Sequence, residues 1–246
     1  MSVFPKPQVE KLPPPQSFHH PGFANRVVAI GASTGGVAAI QHILIALEQA
    51  PMRIIITQHM PAGYTRRFAH RLQQITGYEV KEAEDGDMVV PGRVLIAPGD
   101  RHLTLTGARS ALACKLQDGP PVCGHKPSVD VMFQSAVETL GPKAIGVLLT
   151  GMGRDGAEGL LALRQSGALT VCESQRTATI FGMPKAGLDI GASDCAVDLP
   201  DIAQWILDAV SESPMDPPVP SLQRAIGKPL RNRMPSDLRG LLANTP

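Results

Sequence analysis

The chain has 246 residues, 43% of them hydrophobic, which suffices for one large α/β domain or two small ones and excludes a largely disordered protein. Lys and Arg number 23 against 22 Asp and Glu, a net charge of +1, so bulk charge does not drive nucleic-acid binding, and six Phe, two Tyr and one Trp are too few for a base-stacking platform. No apolar run reaches the ~18 residues of a membrane span, so no membrane insertion is expected; Cys114, Cys123, Cys172 and Cys195, without a C-x-x-C pair or a signal peptide, read as reduced thiols of a cytoplasmic protein.

Residues 1–25 carry Pro5, Pro7, Pro13, Pro14, Pro15 and Pro21 without apolar periodicity and read as a tail or linker. The folded body then starts with an apolar run at 26–30 that ends in glycine. A helical pattern follows through Val37, Ile40, Ile43, Leu44 and Leu47. A second run, 53–57, precedes a helix opened by Pro61 and anchored by Phe68, Leu72 and Ile75. Strands are expected at 78–83, 93–97 and 102–106, the last turning at Gly107–Ser110 into a hairpin partner at 111–116. Residues 128–140 read as a helix with Val129, Met132, Phe133, Val137 and Leu140 on its apolar face, and Ser128 as its N-cap. Strand 144–150, helix 156–166, strand 168–172, a short helix near 184–189, a brief strand at 195–197 and helix 201–210 complete the body. Continuous apolar strands alternating with helices imply a mostly parallel sheet covered on both faces. The proline-rich remainder, 211–246, reads as an extension with a weak amphipathic piece at 221–226 and room for a helix at 236–243.

Ligands in such sheets sit beyond the carboxyl ends of the strands, and three polar clusters fall there. Gly31-Ala32-Ser33-Thr34-Gly35-Gly36 satisfies G-x-S-x-G, a sharp strand-to-helix turn that exposes a serine Oγ beside helix N-terminal amides. On these residues alone a nucleophile, a phosphate loop and a structural turn all remain open; no ribose-binding acid ends the second strand, where Thr57-Gln58-His59 stands. His59 is a candidate general base for Ser33, or a capping histidine. Asp155, in Thr150-Gly151-Met152-Gly153-Arg154-Asp155-Gly156, is a candidate orienter of His59; its competing role is N-cap of helix 156–166, with Glu158 completing a capping box. The chain order Ser…His…Asp differs from the Ser…Asp…His of α/β-hydrolases. His102 is placed to line the cleft, Asp100 and Arg101 to shape its turn, and Phe181-Gly182-Met183-Pro184 to close over the site; His42 and His70 lie in helices. No H-E-x-x-H and no zinc-spaced set occurs, so neither a metal nor a cofactor is expected.

Six ordered blocks, AIGASTGG (29–36), QHMP (58–61), APGDRH (97–102), HKPSVDVMF (125–133), LLTGMGRDGAEGL (148–160) and FGMPKAG (181–187), closely resemble the catalytic domain of the CheB family of chemotaxis protein-glutamate methylesterases, from about residue 26 to 210. The resemblance implies a three-layer α/β/α sandwich around a mainly parallel sheet of about seven strands. It implies Ser33, His59 and Asp155 as catalytic residues, with backbone amides at Met152 and near Thr34 stabilising the oxyanion and Gly35 and Gly151 lining the cleft. The implied reaction is hydrolysis of glutamate γ-methyl esters to glutamate and methanol, with deamidation of receptor glutamines alongside. The implied partners are the methylated cytoplasmic helical bundle of a chemoreceptor, presented edge-on to a shallow cleft, and a separate receiver or signalling protein. Family members usually carry an N-terminal receiver domain; here residues 1–25 precede the first strand, so control by the chain's own receiver is not expected. Cys172-Glu173-Ser174-Gln175-Arg176-Thr177 departs from the family's usual Gln-Asp-Glu before F-G-M-P, which bears on substrate recognition. The alternative is a non-catalytic scaffold or ligand-binding module of a signalling complex using the same cleft.

Overall fold

The alternation of side chains along buried strands decides the architecture. In the computed structural model, which describes residues 26–47, 50–108, 111–193 and 195–211, β1 (Val27–Ala32) is buried over its whole length. Val28 and Ile30 face one apolar layer, and Val27 and Ala29 the other. The same split holds for β2 (Arg53–Gln58), where Ile54 and Ile56 oppose Ile55, and for β7 (Ala144–Leu148), where Ile145 and Val147 oppose Leu148. A sheet apolar on both sides needs cover on both, and each fully buried Ile or Leu contributes roughly 1.5–3 kcal/mol toward that arrangement.

Helices α1 (Gly36–Ala46), α2 (Tyr64–Thr76) and α6 (Leu199–Ser211) cover the first face, through Ile40, Leu44, Phe68, Leu72, Ile202 and Ile206. The second is covered by α3 (Val129–Leu140), α4 (Ala157–Gln165) and α5 (Met183–Asp189), together with the antiparallel hairpin of β5 (His102–Thr106) and β6 (Ala113–Gln117). With β3 (Glu79–Glu82), β4 (Arg93–Ile96), β8 (Leu169–Glu173) and β9 (Ala196–Val197), the main sheet has the order β3-β4-β2-β1-β7-β8-β9, and every pairing in it is parallel. The expected α/β/α sandwich of about seven strands is what forms. The chain runs outward from β1 through β2, then returns to place β7 on the other side of β1. The crevice at the carboxyl ends of β2, β1 and β7 is therefore the topological switch point.

Several local expectations shift. Helix α2 begins at Tyr64 rather than at Pro61, because Gly63 takes a left-handed φ of 82° and the Tyr64 amide closes a turn on the Pro61 carbonyl. Ile75 does not anchor α2: it is 41% exposed, and Thr76 and Ala69 fill the inner face beside Phe68 and Leu72. Helix α6 starts two residues early, at Leu199, since Pro200 is tolerated in a first turn. Ser128 caps α3 as expected, its Oγ accepting from the Val131 amide at 3.4 Å. None of the four cysteines is in a disulfide, and Cys123 is the exposed one. Residues 1–25, the segment from 212 onward with its two helical expectations, and Arg109 and Ser110 of the hairpin turn lie outside the described residues.

Candidate functional site

Ser33 follows β1, His59 follows β2, and Asp155 lies in the loop after β7, so the three neighbouring central strands deliver all three to one crevice. The two loops nearest β1 are tied together by backbone and by one buried side chain. The His59 amide donates to the Ala32 carbonyl at 3.0 Å, while Gln58 Nε2 donates to the carbonyls of Ser33 (2.9 Å) and His59 (3.0 Å). Across the sheet the Ser33 amide donates to the Thr150 carbonyl at 2.9 Å. Gly35, at φ 86°, ends the turn in a conformation that L side chains rarely adopt.

His59 Nε2 lies 2.7 Å from Asp155 Oδ2, and the imidazole is 7% exposed. An ionised carboxylate only accepts, so Nε2 carries the proton and Nδ1 of the neutral ring presents its lone pair. That Nδ1 is buried and has no hydrogen-bond partner. Ser33 is half-buried, and its Oγ makes no hydrogen bond to His59 in this structure. Against the other face of the imidazole lies His125, with ring centroids 3.7 Å apart and planes within 10°. Burial, and then the proximity of His59, hold His125 below the ordinary histidine range, favouring a neutral ring in the stack.

Asp155 is 1% exposed and accepts four hydrogen bonds. Besides His59, these come from Ser128 Oγ (2.7 Å) and from the amides of Val129 (2.7 Å) and Asp130 (3.1 Å). The carboxylate thus sits at the N-terminus of α3, not at that of α4. The N-cap of α4 is Gly156, without any side-chain cap, and Glu158 pairs with Arg154 instead of completing a capping box. The two roles weighed for Asp155 therefore do not compete. Burial pushes its carboxyl up, but His59, the Val129 amide, the Ser128 hydroxyl and the Asp130 amide together hold it below the ordinary aspartate range.

The amides around Ser33 divide into engaged and open. Those of Ser33, Gly36 and Gly151 donate to the carbonyls of Thr150, Ser33 and Ile180, whereas those of Thr34, Gly35 and Met152 donate to no described residue. Gly151 packs so closely that a Cβ there meets Met183 Sδ and comes within 2.7 Å of Ser33 Cβ. Segment 181–184 is packed against the loop after β7: Phe181 bridges Gly151, and the amides of Gly182 and Met183 both reach the Gly151 carbonyl. His102 does not line the cavity beside the histidines. It is 3% exposed and braces the loop before α3, its Nδ1 accepting from the Ser128 amide (3.1 Å) while Nε2 meets the Pro120 carbonyl (3.1 Å). Asp100 and Arg101 are on the turn as expected, with Arg101 paired to Asp118.

Beside the histidines lies a cavity of about 320 Å³, bounded by Met60, Pro61, Gly99, Lys126 and Pro127. A larger cleft of about 730 Å³, between the hairpin and α3, reaches Cys123 and Asp130 but none of Ser33, His59 or Asp155. Donor atoms of Cys123, Asp130 and Asp155 lie within 4.8 Å of one another. They fit a cation poorly: Asp155 is already fully engaged, Asp130 accepts from the Gly159 amide and the Cys123 thiol, and burial pushes that thiol up.

A doubly wound parallel sheet that gathers a serine turn, a buried His–Asp pair and open amides at its switch point defines an α/β protein with a strand-end site. Residues 28–206 match the model of the CheB methylesterase family, and the chain belongs to that family. It is 47% identical over 188 residues to proteins of Salmonella typhi and Escherichia coli K12 named protein-glutamate methylesterase/protein-glutamine glutaminase, covering 76% of this chain and 54% of each of theirs. A similarly named protein of Anaeromyxobacter dehalogenans is 47% identical over 206 residues, or 82% of this chain and 58% of that one. The chain thus spans about half the length of these relatives. The crystal structure of the Thermotoga maritima CheB methylesterase catalytic domain superposes with a TM-score of 0.72 at 36% identity, covering 74% of this chain and 97% of that one.

Proposed function

We propose that this chain is a serine hydrolase that cleaves glutamate γ-methyl esters on chemoreceptors to glutamate and methanol, and deamidates receptor glutamines at the same site. The observation that carries this reading is the His59–Asp155 bond, with Nε2 held by the carboxylate and Nδ1 buried and unpartnered one loop from Ser33. An imidazole held in that tautomer is a base waiting for a proton donor.

In the reaction, Ser33 Oγ attacks the ester carbonyl as His59 Nδ1 takes its proton, and Asp155 stabilises the imidazolium. The tetrahedral oxyanion is met by the open amides of Thr34 and Met152. His59 returns the proton to the departing methoxy oxygen, giving methanol, or to the departing amide nitrogen of a glutamine, giving ammonia, and then activates water against the acyl-Ser33 ester. The site is shallow: Ser33 is half-buried and Met152 is 68% exposed, which suits a side chain offered from the flank of a cytoplasmic helical bundle. The described residues contain no helix long and apolar enough to cross a membrane. The proposed catalytic unit is 26–210, with 1–25 and 211–246 outside it and a separate receiver or signalling protein as regulatory partner.

The test is methanol release from methylated receptor, with covalent labelling by a small alkyl phosphonate. Wild type should release methanol and take up one phosphonate; Ser33→Ala should lose label and lower turnover by roughly 10³-fold or more. Folded wild-type protein that releases no methanol removes the substrate assignment, and one that takes no label removes the serine mechanism.

A further inference from the structure

The last residue of β8, Glu173, has no part in the chemistry above, yet its carboxylate is fully buried directly behind the nucleophile loop. Its Oε2 accepts the Thr150 amide at 2.9 Å, and its Oε1 accepts the Thr177 hydroxyl at 3.1 Å. Thr177 is held in turn by the first amide of α6, since Leu199 N donates to its Oγ1 at 3.0 Å. From Thr150 two bonds run forward to the site. Its carbonyl accepts the Ser33 amide (2.9 Å), and its hydroxyl donates to the Thr34 carbonyl (2.9 Å) while accepting the Ile180 amide (2.9 Å). Thr150 therefore grips the backbone of both turn residues and leads, two positions on, to the Met152 amide. Glu173 is the group that grips Thr150.

No salt bridge reaches Glu173 among the described residues, and burial pushes its carboxyl above the ordinary glutamate range. A buried carboxylate without a cation costs stability, so it is a poor choice for a purely structural role. As a hydrogen-bond acceptor, however, it is stronger than a neutral group and holds two donors in one plane.

Resting on the serine-hydrolase reading, we infer that Glu173 is a positioning residue: through Thr150 it sets the backbone of Ser33 and Thr34 against the Met152 amide, aligning nucleophile and oxyanion donors. Misplacement of such groups by about 1 Å costs on the order of 10²-fold in rate without weakening substrate binding. Glu173→Ala removes the grip, Glu173→Asp keeps the charge but shortens the reach, and Glu173→Gln keeps the reach, its carbonyl accepting Thr150 N–H and its amide donating to Thr177 Oγ1.

The experiment compares kcat and KM for ester hydrolysis in the three variants with amide hydrogen exchange at Ser33, read by NMR on the full chain. Glu173→Ala and Glu173→Asp should lower kcat about 10- to 100-fold with KM within about twofold. They should also speed exchange of the Ser33 amide at least about tenfold more than that of core amides such as Ile55. Glu173→Gln should recover most of kcat and of the protection. The inference is overturned if the Asp variant matches wild type in kcat and exchange, or if Gln is as impaired as Asp. Should Ala fail to fold, the Asp and Gln pair decides alone. Exchange at Ser33 does not depend on turnover, so it tests the grip even if wild type and Ser33→Ala prove equally inert, which is instead the failure of the hydrolase reading.

Discussion

At the residue scale the site is organised around one carboxylate that serves two masters. Asp155 orients His59 and at the same time accepts the first amides of α3, so the helix and the imidazole are positioned by the same two oxygens. The pH consequence follows from the direction of its shift. A carboxylate held below its unfolded pKa, about 3.9 for aspartate, adds stability that is fully present above that value and is lost as pH falls through the lower folded one. Asp155→Asn should therefore be destabilised at neutral pH by about 3 kcal/mol, as expected for breaking a buried pair. In urea denaturation the gap to wild type should close as pH is lowered below about 4. A gap that stays constant with pH would mean that the loss comes from packing rather than charge. Asp155 and His59 stand out in the sequence because each lies just beyond an unbroken apolar strand, His59 directly after β2 and Asp155 in the glycine-rich loop after β7. His125 does not. It enters from a tight turn in which Val122 bridges His125, more than sixty residues from His59, and no periodicity announces that two imidazoles will stack. Glu173 is hidden for the opposite reason: an acid ending a strand reads as solvent-facing, and only the fold reveals that it is buried with the Thr150 amide and the Thr177 hydroxyl as its donors.

At the element scale, the strands and most helices were legible because burial on both sheet faces demands unbroken apolar runs, and 27–30, 53–57 and 144–149 supply them. The misreadings fall where a local rule was outweighed by packing. Pro61 is a good first-turn residue, but the left-handed Gly63 sets the start of α2. Ile75 fits the 3.6 period of α2 by sequence spacing, yet the end of the helix turns it to solvent. The loop after β7 shows how an element's ending serves the site. Gly151 is pressed between Met183 and Ser33, with its carbonyl taking two amides from the start of α5. A methyl at Gly151 would meet Met183 Sδ and lie 2.7 Å from Ser33 Cβ, so Gly151→Ala should displace both. The flexible thioether yields readily, so we expect a loss in Tm of only a few degrees, while the forced shift of Ser33 should lower kcat by about 10²-fold. Unchanged kcat in a folded Gly151→Ala protein would show that this contact has no bearing on the nucleophile.

At the scale of the whole molecule, the parallel order β3-β4-β2-β1-β7-β8-β9 places the first strand in the middle, paired on one side with the next strand, β2, and on the other with β7, which comes much later in the chain. His59 meets Asp155 across 96 residues, and Trp205, on the opposite helical layer, packs in the cluster that contains α1. No contiguous fragment ending before β7 holds a complete site, and none ending before α6 holds a complete first layer. Parallel pairings of this span bring their reward only after long loops have closed. The single tryptophan and ester hydrolysis should accordingly return with one common rate constant when the protein is diluted from urea, and hydrolysis that returned ahead of the fluorescence would contradict a shared closing step. On the proposed reading, the central placement of β1 acts as an interlock during synthesis: an unfinished chain holds its serine and histidine early but lacks the carboxylate that orients the imidazole, and stays chemically silent until β7 and the loop after it arrive.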